Sequence, residues 1–229
     1  MDDTWREVFA TLVREGDLVG CRVLDVGCGT GRLAAALAAS SKVWAVDPSP
    51  EMLEVARRRA PSVRFKQGPA EALPFKDGWF ERATMWLVAH LVDRSAAFAE
   101  IRRVLAAGGR IAIATFDPSY FGVFWLREYF PSMEALDRAR FPASDDLAEE
   151  LPAAGFNPPR FTRLSRRGTL SRQDALRKIR GRHIATFDLI SDEEYARGLV
   201  RAERELPERV EYPEEWLIAV AEASVRPAL

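Results

Sequence analysis

Apolar residues follow two different spacings along the first half of the chain. Short runs that are almost entirely apolar indicate strands covered on both faces; they occupy residues 23–26 and 43–46. Further strands are expected at residues 63–67, 83–88 and 110–116. Between them, apolar residues recur every three or four positions, which indicates amphipathic helices at residues 5–13, 33–39, 51–59 and 95–105. Strands and helices that alternate in this way favour an α/β fold with a doubly wound, mostly parallel sheet.

The pattern loosens after Pro118. Residues 120–130 are rich in aromatic side chains, and the remainder predicts three more helices and two more strands. The helices are expected at residues 145–154, with Ser144 as N-cap, 171–182 and 192–206, and the strands at 160–164 and 216–221. Gly108 and Gly109 are expected to turn the chain before the fifth strand. The sequence therefore predicts a seven-stranded sheet with helical additions in its C-terminal part.

Composition narrows the class of protein. The chain has 229 residues, 48% hydrophobic and 29% charged, with a net charge of -1, which is ordinary for a globular protein and predicts no global attraction to nucleic acid or an anionic membrane. The acidic N-terminus lacks the apolar region of a signal peptide, and no apolar segment approaches the ~20 residues of a membrane span. A cytoplasmic protein without membrane or nucleic-acid partners is expected.

Two cysteines, Cys21 and Cys28, lie close together in sequence. A disulfide between them would fold a predicted strand back on itself, and no His/Cys cluster accompanies them, so reduced thiols and no metal site are expected. Cys28 is interpreted as structural, because no base is near it in sequence to make it a nucleophile.

The segment with the clearest chemistry is a glycine-rich turn between the first predicted strand and helix. Glycines 27, 29 and 31 follow an apolar run that contains Asp25, and Asp47 ends the next strand, 20 residues past Gly27. Glycines permit positive φ and close approach of a ligand, and an acid at this distance can bind both ribose hydroxyls. The dinucleotide pattern Gly-x-Gly-x-x-Gly fails, because Arg32 occupies its last position. The turn thus predicts a nucleoside site that lacks the dinucleotide fingerprint; alternatively, the glycines serve only to reverse the chain.

The sequence Asp-x-Gly-x-Gly-x-Gly resembles the first motif of class I S-adenosylmethionine (SAM) methyltransferases, and residues 21 to about 117 resemble the type 11 group, which includes ubiquinone and menaquinone methyltransferases. The resemblance rests on the turn, on Asp47-Pro48-Ser49, on residues 68–75 and on residues 103–109. It implies SAM as cofactor and S-adenosylhomocysteine as product. The cofactor-binding residues it implies are Asp25, Gly27, Cys28, Gly29, Asp47, Pro48, Met52, Ala70, Glu71 and Leu87.

One position departs from this family. The acidic residue that the family places beside the adenine is Pro69 in this chain. The backbone of Ala70, or Glu71, is expected to take over its hydrogen bond.

The resemblance also implies how the chain is divided. Residues 1–229 are expected to form one methyltransferase domain, in which 1–117 bind the cofactor, 118–215 shape the substrate pocket and 216–222 form the closing strand. Its partner is expected to be a small-molecule methyl acceptor. The sequence identifies neither the acceptor nor the oligomeric state.

His90, at the end of the fourth predicted strand, is the candidate general base. It would take a proton from a hydroxyl or an acidic carbon; alternatively, it only satisfies a loop carbonyl. His183 is expected to pack at a helix end or at the surface, and the arginines of residues 160–182 form either a solvated face or a contact to an anion. Asp117-Pro118-Ser119-Tyr120 resembles an amino-methyltransferase signature but follows the fifth strand, so a turn is expected. RNA methylation and non-catalytic SAM binding remain as alternatives.

Overall fold

The computed structural model describes residues 3–224 and contains a seven-stranded sheet. Its strands are β1 Arg22–Val26, β2 Lys42–Asp47, β3 Arg64–Gln67, β4 Phe80–Trp86, β5 Leu105–Phe116, β6 Arg160–Ser171 and β7 Arg209–Glu222. Its α-helices are α1 Asp3–Gly16, α2 Arg32–Leu37, α3 Pro50–Arg59, α4 Arg94–Val104, α5 Ser132–Arg140, α6 Ser144–Ala153, α7 Arg172–Arg180 and α8 Asp192–Glu205. Short 3-10 helices cover Pro118–Gly122, Trp125–Glu128 and Ala185–Asp188.

The sheet has the strand order β3-β2-β1-β4-β5-β7-β6. β1 pairs in parallel with both β2 and β4, and the pairs β2–β3 and β4–β5 are also parallel. Strand β7 is antiparallel to β5. The Asp117 N–H, after the end of β5, donates to the carbonyl of Glu215, whereas the Ala223 N–H, after the end of β7, donates to the carbonyl of Gly109 near the start of β5. The predicted doubly wound, mostly parallel sheet is therefore confirmed. The carboxyl ends of β1, β2 and β4 meet at one edge, where ligands of such sheets bind.

The central strands are short and apolar because both of their faces are covered. Leu24, Met85 and Phe80 are fully buried and pack with Phe98 and Ile101 of α4 in one cluster. Burial of each such side chain contributes on the order of 2 kcal/mol. This cluster holds the strand ends of the sheet in fixed positions.

The C-terminal strands are longer than predicted. β7 begins at Arg209, although residues 209–215 were expected to belong to the helical region, and β6 continues to Ser171 instead of ending at 164. Pro213 and the neighbouring glutamates conceal the strand pattern of β7 in the sequence, because both residue types are depleted in strands.

Two other local predictions need correction, and one helix was missed. The N-cap of α6 is Ala143 and not Ser144, which is the first helical residue; the Asp146 carboxylate accepts a hydrogen bond from the Ala143 N–H at 2.7 Å. Gly108 and Gly109 lie within β5, where a register shift opposite β4 accommodates them, rather than ahead of it. Helix α5 was not predicted.

The chain divides into two compact units. Among the described residues, the first contains 3–115, 143–163 and 217–224, and the second contains 116–142 and 164–216. The core of the second unit is built around Phe130, Phe187, Ile179 and Ala202, which are all fully buried. Within residues 3–224, no helix is long and apolar enough to cross a membrane.

Candidate functional site

The glycine-rich turn joins β1 to α2 in a tight, left-handed path. Gly27, Gly29 and Gly31 have φ values of 69°, 50° and 75°, a region that side chains with a Cβ rarely adopt. The N–H groups of Gly27 and Cys28 both donate to the carbonyl of Val46 at the end of β2, at 2.8 and 3.0 Å. The turn is thus fastened to the neighbouring strand end.

Each glycine of the turn meets a different environment. A Cβ on Gly27 would lie 2.5 Å from a methyl carbon of Val88, and one on Gly31 would lie 2.9 Å from the Cβ of Ala56. A Cβ on Gly29 would meet no heavy atom within 4 Å. Two glycines therefore allow protein packing, whereas the third borders open space. This space is a cradle in which a ligand can approach the backbone.

Asp47 lies beside this cradle and is 7% exposed. Its Oδ2 accepts a hydrogen bond from the Gly29 N–H at 2.7 Å, and its Oδ1 accepts one from the Ser49 N–H at 3.0 Å. A carboxylate has about four acceptor positions, so both oxygens can still accept a hydroxyl. The carbonyl of Pro48, the next residue, accepts a hydrogen bond from the Gln67 side chain at 3.0 Å. The geometry suits the two hydroxyls of a ribose.

Asp25 lies beneath the turn and is 1% exposed. Its Oδ1 accepts a hydrogen bond from the Thr84 hydroxyl at 3.1 Å, and its Oδ2 has no hydrogen-bond partner among the described residues. Burial raises the pKa of this carboxyl to about 7, against the opposing hydrogen bond from Thr84, and the charge of Asp47 raises it further. An unpartnered buried oxygen at this place fits a site completed by a ligand or its water.

Met52 lies in the first turn of α3 and leaves 44% of its surface exposed. The N-cap of this helix, Ser49, accepts a hydrogen bond from the Met52 N–H at 3.1 Å, so the same short segment that holds Asp47 also orients Met52. An exposed, polarizable thioether beside a nucleoside cradle is suited to cover a planar base.

The segment that follows β3 contains Pro69, Ala70 and Glu71. Ala70 is buried, at 6% exposure. The Glu71 carboxylate accepts a hydrogen bond from the Asp93 N–H at 2.9 Å, which fastens this segment to the chain that follows β4. This contact, which the sequence around Glu71 does not predict, positions the segment after β3. A contact between Glu71 and the cofactor stays a prediction.

Arg103 of α4 is a site residue whose role the sequence does not reveal. Its guanidinium donates to the carbonyls of Leu73 and Phe75, at 3.0 and 2.8 Å, and pairs with the carboxylates of Asp77 and Glu100, each at 2.7 Å. Glu100 in turn accepts a hydrogen bond from the Leu73 N–H at 2.7 Å. The Glu100–Arg103 pair therefore holds residues 73–77, between β3 and β4, in place.

The chain beyond β4 bends sharply at Leu87, which has a φ of 53° although it is not glycine. Its N–H bonds the carbonyl of Ala114 at 2.8 Å, so a strained residue is held in place by β5. Such strain is typical of functional loops. Val88 packs over Gly27, and His90, half-buried, follows two residues later.

Aromatic side chains lie at the same end of β4. Trp5 of α1 stacks on Phe9, with ring centroids 5.0 Å apart, and contacts Trp86, the last residue of β4, at 5.4 Å. The guanidinium of Arg32 lies 5.6 Å from the Trp5 ring. Trp5 is buried, at 8% exposure, so the half-buried Trp86 supplies the aromatic surface that an apolar, planar molecule could contact here.

Nucleophilic and metal chemistry receive no support from the described residues. Burial raises the pKa of the Cys28 thiol, and the nearby carboxylates of Asp25 and Asp47 raise it further, so the thiol stays protonated. In the part of the chain between residues 3 and 224, no group of His, Cys, Asp and Glu side chains is arranged to hold a metal ion.

Comparison with known proteins agrees with this geometry. A family model described as "Methyltransferase domain" matches residues 23–109. A curated relative, the demethylmenaquinone methyltransferase of Thermus thermophilus, is 36% identical over 163 residues, which span 59% of this chain and 74% of the relative. Against some other curated demethylmenaquinone methyltransferases, the match spans about half of their length.

Solved structures share the fold. The YcgJ protein of Bacillus subtilis superposes with a TM-score of 0.68 at 22% identity, covering 96% of this chain and 100% of that protein. A phosphoethanolamine N-methyltransferase of Haemonchus contortus, solved with S-adenosylhomocysteine, superposes with a TM-score of 0.62 at 20% identity, covering 96% of this chain and 53% of that one.

The fold, the open glycine cradle and the acid beside it define a SAM-dependent methyltransferase of class I. SAM is its cofactor, and the residues around the cradle fit it. The chain belongs to the methyltransferase family that contains demethylmenaquinone methyltransferase.

Proposed function

We propose that this protein transfers the methyl group of SAM to a demethylmenaquinone-like acceptor, a small molecule with a hydroxylated aromatic ring and an apolar chain. The observation that carries the transferase function is the cradle at Gly29, open on its ligand side and bordered by the Asp47 carboxylate. The acceptor class rests on the name of the Thermus thermophilus relative and on the half-buried ring of Trp86, which packs on Trp5. A cytoplasmic location remains part of the proposal.

The contacts of each residue support its proposed role in binding the cofactor. In the proposal, the carboxylate of Asp47 accepts the ribose hydroxyls, and Met52 covers the adenine beside Pro48. The backbone of Ala70 replaces the acid that is absent at Pro69. Gly27, Cys28 and Gly29 form the wall along the methionine part, with Asp25 beneath them. When bound, SAM supplies a methyl group activated by its sulfonium.

The acceptor-side roles belong to the chain beyond β4. The bend at Leu87 directs this segment across the end of the strand. His90 accepts the proton that the acceptor hydroxyl loses. General-base catalysis of this kind contributes roughly 10²–10⁴-fold in rate. Trp86, supported from behind by Trp5, contacts the acceptor ring, so that its reacting atom and the methyl group lie in line, a positioning effect that can supply several kcal/mol.

The direct test is transfer of labelled methyl from SAM to a short-chain, reduced demethylmenaquinone analogue. We expect a methylated product, and His90→Gln should lower kcat by roughly 10²-fold while the Kd for SAM stays within about twofold. His183→Gln is the matched control, because His183 is exposed and follows α7 in the second unit. Its rate should equal that of the wild type.

Other outcomes would overturn the proposal in distinguishable ways. Methylation of RNA transcripts without methylation of the quinol analogue would make this an RNA methyltransferase. SAM binding without transfer to any acceptor, unchanged in His90→Gln, would indicate a non-catalytic SAM-binding protein.

A further inference from the structure

The connection between β3 and β4 differs from the others in the parallel part of the sheet. Helices α2, α3 and α4 separate the strand pairs β1–β2, β2–β3 and β4–β5, but residues 68–79, which join β3 to β4, form no helix. Both faces of a parallel sheet are normally covered by such helices. At the β2–β3 end of this sheet, one face is therefore covered by side chains and not by a helix.

The register identifies this face. Trp44 of β2 pairs with Arg64 of β3, and Ala45 pairs with Phe65. Successive residues of a strand point to opposite faces. Phe65 lies against the turn before α2, since its ring is 3.5 Å from where a Cβ on Gly31 would be. Trp44 and Arg64 consequently lie on the other face, away from α2.

Aromatic rings cover that face in place of a helix. Trp44 packs edge-on against Trp79, with centroids 6.3 Å apart, and against Phe80 at 5.7 Å. Phe75 packs on Phe80 at 5.0 Å. Trp44, Phe75 and Trp79 are only half-buried, so this apolar layer reaches the surface.

Cations lie over each of these half-buried rings. Arg64 lies 4.9 Å from the Trp44 ring, Lys66 lies 4.8 Å from Phe75, and Lys76 lies 4.0 Å from Trp79. Arg22 lies over Trp79 as well, at 4.9 Å. We call these four cations and the rings of Trp44, Phe75 and Trp79 the cation–aromatic face.

The positive charge of this face is largely uncompensated. Among the described residues, no carboxylate lies within 4 Å of the charged groups of Arg64, Lys66 and Lys76, whereas Arg22 pairs with Glu81 at 3.4 Å. The nearby acid Asp77 is engaged by Arg103. The net charge of -1 for the whole chain therefore conceals a local basic surface.

We propose that the cation–aromatic face docks the protein on an anionic phospholipid bilayer. Lysine and arginine above a membrane surface attract anionic headgroups, and tryptophan is favoured at the headgroup level. Single-stranded nucleic acid fits less well, because it is bound by stacking bases on open aromatic faces, and here cations occupy the faces of the rings. The choice of a bilayer rests in part on the proposed function, since an acceptor with an apolar chain resides in membranes.

The test is co-sedimentation of the full-length protein with vesicles, which requires no methyl transfer. We expect binding to phosphatidylcholine vesicles that contain phosphatidylglycerol and none to phosphatidylcholine alone, with weaker binding as salt increases. The triple variant Arg64→Gln/Lys66→Gln/Lys76→Gln should lower the partition coefficient roughly tenfold or more.

A matched variant separates this face from charge in general. Arg160, Arg167 and Lys178 are exposed cations that likewise have no carboxylate within 4 Å among the described residues. Neutralising these three to Gln removes the same charge elsewhere and should leave vesicle binding within about twofold. Far-UV circular dichroism of both variants should match the wild type, which shows that the fold persists even though Lys66→Gln removes the hydrogen bond from the Lys66 ammonium to the Pro74 carbonyl.

Equal loss of vesicle binding in both triple variants, or no preference for anionic vesicles, would overturn the proposal. Binding of a labelled RNA that is lost only in the Arg64/Lys66/Lys76 variant, with no vesicle binding, would assign the face to nucleic acid instead. Vesicle binding without quinol methylation would leave the docking surface standing and refute the proposed acceptor.

Discussion

The Oδ2 atom of Asp47 lies 2.7 Å from the backbone nitrogen of Gly29 and accepts its hydrogen bond. This contact joins the end of β2 to the turn that follows β1, so the acid that would bind the ribose also fixes the turn that would border the methionine part. Loss of the Asp47 carboxylate should therefore weaken cofactor binding more than loss of its ribose contact alone would.

Asp47→Asn should weaken SAM binding about 10- to 100-fold, because hydrogen bonds to a charged group contribute roughly 1.5–3 kcal/mol. Titration calorimetry with SAM and S-adenosylhomocysteine measures the change. Glu54→Gln on the exposed side of α3, where the side chain is 71% exposed, is the control and should bind SAM normally. Equal affinity in wild type and Asp47→Asn would remove Asp47 from the cofactor site.

Gly27→Ala should destabilise the protein by roughly 2–4 kcal/mol, the sum of a strained positive φ and a clash with Val88. Urea unfolding gives this free energy. Gly20→Ala is a close control, because Gly20 has a φ of 76° but nothing within 4 Å of an added Cβ; it should cost only about 1 kcal/mol. If the two variants lose the same stability, the contact with Val88 is not what excludes a Cβ at position 27.

Arg103→Ala should lower the free energy of unfolding by roughly 2 kcal/mol, since it leaves the carbonyls of Leu73 and Phe75 without their donor. SAM binding should also weaken severalfold, because the segment proposed to border the adenine loses its anchor. Arg58→Ala removes an exposed pair with Glu54 and should cost under about 0.5 kcal/mol. Unchanged SAM affinity in Arg103→Ala would show that the segment holds its position without the arginine.

The contribution of Asp25 to the stability of the protein should fall as pH rises from about 4 to 7. In the folded state, burial raises the pKa of Asp25 to about 7 from its ordinary 3.8, so the folded state binds a proton that the unfolded state has already released. Full ionisation then costs roughly 4 kcal/mol. Urea unfolding between pH 4 and 8 measures this slope.

Asp25→Asn removes the titrating group and should flatten that pH dependence, whatever its effect on absolute stability. The comparison of slopes is informative because an amide of the same size keeps the hydrogen bond from the Thr84 hydroxyl. A slope that persists in Asp25→Asn would assign the pH dependence to other groups.

The parallel half of the fold and the cradle could be predicted because their signals are local. Glycine spacing, an apolar run and an acid at the next strand end are all read within one short segment, and the structure joins Gly29 to Asp47 as that spacing implies. The partners of Glu71 and Arg103 could not be predicted. Each bonds a backbone group more than twenty residues away, which a local pattern does not encode.

The C-terminal strands were only partly predicted for a related reason. Half-buried positions of β6 are occupied by polar or charged residues such as Arg166 as well as by Phe161 and Leu164, so the alternation of burial is not an alternation of hydrophobicity. In β7, Pro213 interrupts the pattern in the same way. Pairing within the sheet, rather than intrinsic preference, determines these strands.

The absence of a helix between β3 and β4 has a consequence for how the sheet opens. β3 has only four residues, mostly exposed, and forms the end of the sheet beside β2. With little buried surface to resist opening, its amide hydrogens should exchange with solvent before those of β1 or β4. Gln67, at the end of β3, bonds the carbonyl of Pro48 beside Asp47. A cofactor bound beside Asp47 would hold this part of the sheet against opening. Slower amide hydrogen exchange in β3 would therefore indicate that the site at the end of β2 is occupied.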